Sequence, residues 1–174
     1  MKEAKIRLDS VNFYYQEKLV LRGLEGELEE NAISTVIGPS GVGKSTFLMI
    51  LNRLYESIPN CRLEGRVEMK LDGTYTDIHS LPLTTLRKKV GMVFQVPNPL
   101  PMSIFKNVAF PLKLSGVKGK KYIKEKVEEV LRDTVLWDEV KDRLDDSALN
   151  LSGGQQQRLW HCQGYDHAAR GAPA

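Results

Sequence analysis

Nine residues in the first third of the chain, GPSGVGKST from Gly38 to Thr46, have the spacing of a loop that cradles phosphate. They fit the pattern G-x-x-x-x-G-K-[ST], in which glycines let the backbone curl so that successive N–H groups point at phosphate oxygens. Lys44 is expected to reach the β- and γ-phosphates, and the Ser45 hydroxyl to bind Mg²⁺. The candidate phosphate-binding residues of this phosphate loop are Gly38, Pro39, Ser40, Gly41, Val42, Gly43, Lys44, Ser45 and Thr46.

The segments on either side of the phosphate loop have the pattern that such a loop requires. AISTVIG, residues 32–38, is short, apolar and β-branched, which predicts a buried strand. FLMILNRLY, residues 47–55, is predicted to be a buried helix. The order of strand, glycine loop and helix supports a nucleoside triphosphate site, whereas a chance glycine turn would lack this context.

A second glycine motif, LSGGQQQR at residues 151–158, has the features of another anion-binding helix start. Ser152 is placed to cap a helix, while Gly153 and Gly154 let backbone N–H groups approach an anion closely. The alternative is a flexible Ser-Gly linker, but a linker does not run directly into Gln-Gln-Gln-Arg. Two phosphate-type sites in one chain suggest that two chains enclose one nucleotide.

The remaining elements divide the chain into a strand-rich and a helix-rich part. Alternation in residues 4–15 and 19–29 predicts an antiparallel start, RVEMKLDG predicts a strand before a turn at Asp72-Gly73, and KVGMVFQ predicts a buried strand. After the prolines near residue 100 the pattern becomes helical, and residues 120–136 are expected to bury Ile123, Val127, Val130, Leu131 and Val135 on one face. The predicted domains are a nucleotide-binding core at 1–96, a helical lobe at 97–158 and an aberrant tail at 159–174.

Composition excludes several classes of protein. The net charge of +3 is mild and by itself neither requires nor excludes nucleic acid. No run of lysine or arginine forms a stripe that could follow a phosphate backbone, and no nucleic-acid partner is expected. Cys61 and Cys162 match no metal or redox spacing and are interpreted as free thiols in a reducing compartment. No apolar run has the length of a membrane span or a signal core, so work at a membrane is expected to require a partner.

The second glycine motif resembles the signature motif of ABC ATPases, which completes the site of the partner subunit. The residues that would act in trans are Ser152, Gly153, Gly154 and Gln155. This resemblance implies an α/β P-loop NTPase fold of the ABC type, with an N-terminal antiparallel β subdomain, a helical lobe, ATP and Mg²⁺ as cofactors and a second copy arranged head to tail. Tyr15 stands where that family places an aromatic ring to stack on adenine. Gln95 matches the family's glutamine that contacts Mg²⁺ and the attacking water, so it is a candidate catalytic residue beside Lys44 and a metal ligand beside Ser45.

Longer stretches, above all VGMVFQVPNPLPMSIFKNVAF, are similar to the ATP-binding subunits of bacterial phosphate importers. The resemblance covers residues 4–159, with Val42 where that subfamily often has cysteine and Gln16 where it often has glycine. It implies an energy-coupling ATPase for uptake of inorganic phosphate. It also implies membrane permease subunits as partners and a peripheral location on the cytoplasmic face of the inner or plasma membrane. A soluble ABC ATPase acting on nucleic acid or ribosomes is the alternative.

Several groups that hydrolysis needs in that family have no counterpart in this sequence. No residue matches the Asp and Glu at the end of the Walker B strand or the downstream histidine, so a catalytically inactive ATP-binding fragment remains a third possibility. LWDE at residues 136–139 precedes the second glycine motif and is interpreted as a helix end with solvated charges. His161, His167 and Cys162 lie at the wrong distance from the motif and are not assigned a chemical role.

The resemblance ends after Leu159, and the codons of the tail suggest why. Trp160 has the single codon TGG, and removal of one G shifts the frame so that later codons permit residues like C-I-A-R-A and R-P-E-V-L-L, as in the phosphate-importer family. The expectation is therefore a family member cut short by a one-base insertion after Leu159, with the C-terminal part of the core missing. A DNA sequence whose shifted frame does not continue into Asp-Glu-Pro would contradict it.

Overall fold

The computed structural model describes residues 3–114 and 116–164, which form two compact units. One unit extends to Val90 and the other begins at Gly91. Sequence analysis set this boundary after residue 96, later than the division in the structure. The segment between the two positions belongs with the second unit, since the Phe94 ring contacts Trp160 edge-on at a centroid distance of 6.3 Å.

The first unit is built on a four-stranded antiparallel sheet in the order β2-β1-β3-β4. Its strands are β1 (Ala4–Tyr15), β2 (Lys18–Glu29), β3 (Cys61–Leu71) and β4 (Thr74–Asp77). The predicted antiparallel start is confirmed by the pairing of β1 with β2. The predicted turn joins β3 to β4, with φ of 48° at Asp72 and 84° at Gly73, as in the two-residue turns that match sheet twist.

Two helices cover the apolar face of this sheet. They are α1 (Lys44–Leu51) and α2 (Leu83–Lys89), and short 3-10 turns lie at Leu54–Ser57 and Ile78–Ser80. The alternation of β1 places Val11 and Phe13 in the core, where Ile50 of α1 is also fully buried. Helix α1 is therefore packed against the sheet, and this packing fixes the end of the phosphate loop.

The second unit is helical and has its own core. Its helices are α3 (Ile104–Leu114), α4 (Lys120–Asp133), α5 (Trp137–Val140) and α6 (Gly153–Gly164), with 3-10 turns at Lys141–Arg143 and Ala148–Asn150. The predicted buried face of α4 is confirmed for four residues, Ile123, Val127, Val130 and Leu131. None of the described helices is long and apolar enough to cross a membrane.

Val135 was predicted on the buried face of α4 and is instead 79% exposed. The helix ends one turn earlier, because the N–H of Val135 donates to Arg132 O at 2.9 Å and the N–H of Leu136 donates to Leu131 O at 2.8 Å. These two bonds are those of a Schellman C-cap, in which the residue after the cap takes a left-handed conformation. Val135 has a φ of 53°, so its side chain turns away from the core.

Two predicted strands are absent from the structure. They are residues 32–38, which lead into the phosphate loop, and residues 89–95, which end at Gln95. Residues 32–39 have no regular structure, and Ile33 and Ile37 are 99% and 89% exposed. The second segment is irregular from Gly91 onward and Phe94 is 43% exposed. A β-strand forms only where its backbone hydrogen-bonds to at least one neighbouring strand. No described strand pairs with either segment, so apolar composition alone does not make them strands.

The first residues of the segment predicted to be an aberrant tail are helical in the structure. Helix α6 continues to Gly164, and Leu159 and Cys162 are both fully buried in the core of the second unit. Their spacing of three places them on one face of the helix. The rest of the tail, including His167 and most of the codons used for the frame hypothesis, lies outside the described residues.

Candidate functional site

The phosphate loop closes around the side chain of its own lysine. The Lys44 ammonium donates to the carbonyl oxygens of Gly38 and Pro39, both at 2.8 Å. The loop therefore curls into a ring with the positive charge at its centre, although residues 32–38 do not form the predicted strand. Oxygen atoms of a phosphate are acceptors of the same kind, so they can take the place of these carbonyls at the ammonium.

Helix α1 starts at this ring and adds further donors. Its first intrahelical bond runs from the N–H of Phe47 to Gly43 O at 2.9 Å. The N–H groups of Lys44, Ser45 and Thr46 precede that bond and have no partner within the helix. Together with the positive end of the helix dipole they favour an anion at this end.

Two glycines of the phosphate loop have conformations that a side chain would strain. Gly41 has a φ of 80° and Gly43 a φ of 101°, both in the region that L-residues rarely adopt. At Gly43 an added Cβ would also lie 2.6 Å from Leu21 Cδ2 on strand β2, whereas at Gly41 it would meet nothing within 4 Å. Gly43 is thus required both for the turn and for the close approach of the loop to the sheet.

Tyr15 is brought next to the phosphate loop at the end of strand β1. Its hydroxyl lies 3.4 Å from Thr46 Oγ1, and its ring contacts Phe13 edge-on at a centroid distance of 5.0 Å. Gln16 follows Tyr15 in the hairpin turn and has a φ of 54°. Glycine suits this position because it adopts a positive φ without strain. The half-buried ring is therefore held beside the candidate phosphate site, and adenine stacking at Tyr15 remains a prediction.

The residues predicted to hold Mg²⁺ are compatible with an ion that arrives with its nucleotide. Ser45 is exposed in the first turn of α1, so its hydroxyl is available beside the phosphate loop. The described residues contain no group of three or more His, Cys, Asp or Glu side chains that could hold a metal ion. Mg²⁺ commonly binds through few protein ligands plus phosphate oxygens, which suits this donor set. Gln95 is exposed in the second unit, and its role as a metal ligand remains a prediction.

The second glycine motif starts helix α6 with a reciprocal cap. The N–H of Gln155 donates to Ser152 Oγ at 3.4 Å, and the N–H of Ser152 donates to Gln155 Oε1 at 3.0 Å. This is the capping box, and it confirms the predicted capping role of Ser152. Gly153 and Gly154 are exposed in the first turn, and a Cβ on either would meet nothing within 4 Å. Their backbone N–H groups are therefore open to a ligand at the start of the helix.

Sequence analysis missed the partner of this cap, Glu139. Its carboxylate accepts from Gln155 Nε2 at 2.7 Å and from an Arg158 guanidinium nitrogen at 2.5 Å. The interpretation of residues 136–139 as a helix end with solvated charges is therefore wrong for Glu139. The only signal in the sequence was an acid close to a Gln/Arg-rich motif, and the separation of 16 residues hides that contact.

A buried asparagine fixes the proline-rich segment that follows Gln95. Asn107 of α3 is fully buried, and its Oδ1 accepts from the N–H of Leu100 at 2.9 Å. Its Nδ2 lies within hydrogen-bond distance of three carbonyls, those of Leu100, Met102 and Ser103. Prolines supply no N–H for a regular ladder, so this side chain takes the place of backbone pairing. The sequence pattern alone did not indicate that Asn107 anchors this segment.

A cleft of about 370 Å³ adjoins Lys44 in the first unit. One wall is formed by residues 34–37 and the other by leucines of strand β2, among them Leu21, Leu24 and Leu28. The exposed surface of this cleft is mostly aliphatic, so it is suited to apolar side chains and we do not assign it to a nucleotide. It lies between strand β2 and the irregular segment that follows this strand.

Comparison with known proteins agrees with this set of motifs. The phosphate import ATP-binding protein PstB of Bacteroides thetaiotaomicron is 50% identical over 159 residues, which are 91% of this chain and 62% of that protein. The protein of the same name from Cytophaga hutchinsonii is 50% identical over 155 residues, and PstB 2 of Listeria monocytogenes is 48% identical over 156 residues. The chain therefore spans about three fifths of the length of the curated relatives it matches.

Solved structures show the same fold. A bacterial Atm1-family ABC exporter with ATP bound superposes with a TM-score of 0.76 at 26% identity, over 94% of this chain and 27% of the exporter chain. The cbiO1 protein from Clostridium perfringens, part of the ABC transporter complex cbiONQ, gives a TM-score of 0.70 at 23% identity, over 92% of this chain and 61% of that protein. The fold is thus that of part of an α/β ABC ATPase. The ABC transporter family model matches residues 21–163, a range that includes both glycine motifs, and the chain belongs to the ABC transporter family.

Proposed function

We propose that this chain is part of an ATP-binding subunit that couples ATP hydrolysis to the import of inorganic phosphate. It is the part that contains the phosphate loop and the second glycine motif. The observation that carries nucleotide binding is the ring of the phosphate loop around Lys44 at the start of α1. The substrate class is supported by relatives of about 50% identity whose names specify phosphate import.

Each group of the phosphate loop has a role in this proposal. Lys44 binds and neutralises the β- and γ-phosphates, and the first-turn N–H groups of α1 orient them. Ser45 would supply a hydroxyl ligand to Mg²⁺, and the family resemblance makes Gln95 a further candidate ligand that would also orient the attacking water. Mg²⁺, when bound with the nucleotide, would supply positive charge against the charge that develops on the transferring phosphoryl group. Tyr15 stacks on the adenine.

The second glycine motif acts on the nucleotide of another copy. Ser152 and Gln155 hold the first turn of α6 in place through the capping box, so that the N–H groups of Gly153 and Gly154 face a phosphate in trans. Two copies arranged head to tail would then enclose two nucleotides. Closure of the two copies on ATP would drive permease subunits in the membrane, which are the proposed partners. A chain bound to these subunits would be a peripheral subunit on the cytoplasmic face of the membrane.

A second candidate function, nucleotide binding without turnover, is favoured by a specific observation. The segments at residues 32–38 and 91–95, which the family resemblance assigns to the catalytic core, are irregular and have exposed apolar side chains. No residue of the given sequence matches the acidic pair or the histidine that hydrolysis requires in the family. A positioned general base contributes about 10²–10⁴-fold to a rate, so the 174-residue chain is expected to release phosphate no faster than its Lys44→Ala variant.

Two measurements test these proposals separately. The tagged chain is incubated with detergent extracts that contain phosphate-importer permease subunits, and in parallel with ribosomes. Capture of the permease subunits supports the transport proposal, while capture of ribosomes alone would favour the soluble class of ABC ATPase. Phosphate release by protein of verified mass, above the level of Lys44→Ala, would contradict binding without turnover.

A further inference from the structure

Glu139 links helix α5 to the start of helix α6. One oxygen of its carboxylate accepts from Gln155 Nε2 at 2.7 Å and the other accepts from Arg158 at 2.5 Å. Both donors belong to the second glycine motif, and they lie almost one turn apart on the same face of α6. A single carboxylate therefore holds two side chains of that motif.

The contact with Gln155 extends to the backbone at the start of the helix. Because Gln155 Nε2 donates to Glu139, its Oε1 is turned toward the N–H of Ser152, from which it accepts at 3.0 Å. The two ends of one amide group are thus engaged at the same time. Loss of the carboxylate would free the Gln155 amide to rotate, and the N–H of Ser152 would lose a fixed acceptor.

Glu139 itself is held by the core of the second unit. Leu136, directly before α5, and Val140, its last residue, are fully buried, and Arg143 Nε donates to Glu139 O at 3.2 Å. The N–H of Glu139 also donates to Leu136 O at 3.1 Å. The backbone of Glu139 is therefore held by the core of the second unit and by these two hydrogen bonds, so its carboxylate is a preset acceptor.

We propose that Glu139 is a positioning residue that sets the conformation of the second glycine motif through Gln155 and Arg158. Its role in nucleotide binding rests on the proposed function, in which the N–H groups of Gly153 and Gly154 face a phosphate in trans. The positioning itself does not depend on a nucleotide. It follows from the chain of bonds that leads from Glu139 through Gln155 to Ser152.

Arg158 supplies a second observation at the same place. Its Nε is buried and has no hydrogen-bond partner among the described atoms, so its guanidinium depends on the contact with Glu139. The ion pair is partly exposed, with side-chain exposures of 38% for Arg158 and 44% for Glu139, which limits its effect on global stability. Removal of Glu139 is therefore expected to change the local order of the motif much more than the melting temperature.

Amide hydrogen exchange followed by NMR tests the proposal on the full chain. In Glu139→Ala the amide of Ser152 is expected to exchange about three- to tenfold faster than in the parent, the effect of losing one hydrogen bond. Glu139→Gln keeps one carbonyl acceptor for Gln155 and is expected to restore part of this protection. The matched control is Asp138→Ala, because Asp138 is the neighbouring acid in α5 and pairs with Lys141 at 3.4 Å instead of with α6.

The exchange rate of the Ser152 amide can support or overturn the proposal. A Ser152 amide that exchanges in Glu139→Ala at the parent rate would overturn it, as would an equal acceleration in Asp138→Ala. If circular dichroism shows that Glu139→Ala is unfolded, Glu139→Gln decides alone, and it must show a smaller but measurable acceleration. Mg-ATP added to the parent reports on the proposed function separately: the absence of any shift in the Gly153 and Gly154 amide signals would contradict the trans site and leave the exchange result intact.

Discussion

Gly43→Ala places one methyl group where the phosphate loop, helix α1 and strand β2 meet. The residue has a φ of 101°, and the new Cβ would lie 2.6 Å from Leu21 Cδ2, a side chain that is itself buried. Neither the loop nor the sheet can accommodate the methyl group without a shift. We expect Gly43→Ala to lower the free energy of unfolding and to weaken binding of nucleotide, because the first turn of α1 must move.

The size of this effect can be worked out from two other glycines. Gly41→Ala, at a φ of 80° with nothing within 4 Å of the Cβ, carries only the backbone strain of about 1–2 kcal/mol. Gly43→Ala adds overpacking of about 1–3 kcal/mol, which gives a total of about 2–5 kcal/mol out of the 5–15 kcal/mol of a typical domain. Gly154→Ala meets nothing and has no such φ, so it is the control that should leave stability unchanged or raise it slightly.

Urea unfolding followed by far-UV circular dichroism measures this series. Gly43→Ala is expected to lower the midpoint by about 1 M or more, and Gly41→Ala by about half as much. The fluorescence of Trp137 and Trp160, both in the second unit, follows the unfolding of that unit in the same samples. The reasoning is refuted if Gly43→Ala is no less stable than Gly41→Ala, or if Gly154→Ala loses as much stability as either.

Three further experiments test other parts of the structure. Val135→Gly should stabilise the protein by about 1 kcal/mol in thermal unfolding, because glycine adopts the φ of 53° without strain, and a lower melting temperature would contradict the C-cap. Burial raises the pKa of the Cys162 thiol. An aromatic disulfide reagent at about pH 8 should therefore label the partly exposed Cys61 first and Cys162 only after unfolding. Equal labelling rates for the two thiols would argue against the burial of Cys162. Tyr15→Ala should weaken binding of ATP about fivefold or more if the ring stacks on adenine, and an unchanged affinity would leave the ring a structural role.

Local patterns predicted the elements that are stabilised by near neighbours. The hairpin of β1 and β2, the turn at Asp72-Gly73 and the buried face of α4 depend on alternation, turn residues and helical spacing, all of which lie within a short window. The end of α4 was missed because valine is a poor candidate for a left-handed C-cap. Only the backbone bonds of Val135 and Leu136 show that the helix stops there.

Contacts between distant residues could not be predicted in this way. Residues 32–38 have the composition of a buried strand, but composition does not show whether hydrogen-bonded neighbours are present, and no described strand pairs with them. The curl of the phosphate loop around Lys44 is nevertheless present, since the motif fixes it locally, and its role in binding phosphate stays a prediction. Glu139 was misread as a solvated charge because its partners in α6 are set by the tertiary packing of α5.

Equilibrium binding of Mg-ATP to the chain and to Lys44→Ala tests most directly whether the loop at residues 38–46 is a nucleotide site. Calorimetry should show binding to the parent, and a loss of affinity of about tenfold or more in the variant, since a hydrogen bond to a charged group contributes about 1.5–3 kcal/mol. Lys89→Ala, which changes an exposed lysine of α2 in the same unit, serves as the control and should bind as the parent does. An affinity for Mg-ATP that is the same in the parent and in Lys44→Ala, with both proteins folded, would contradict the assignment.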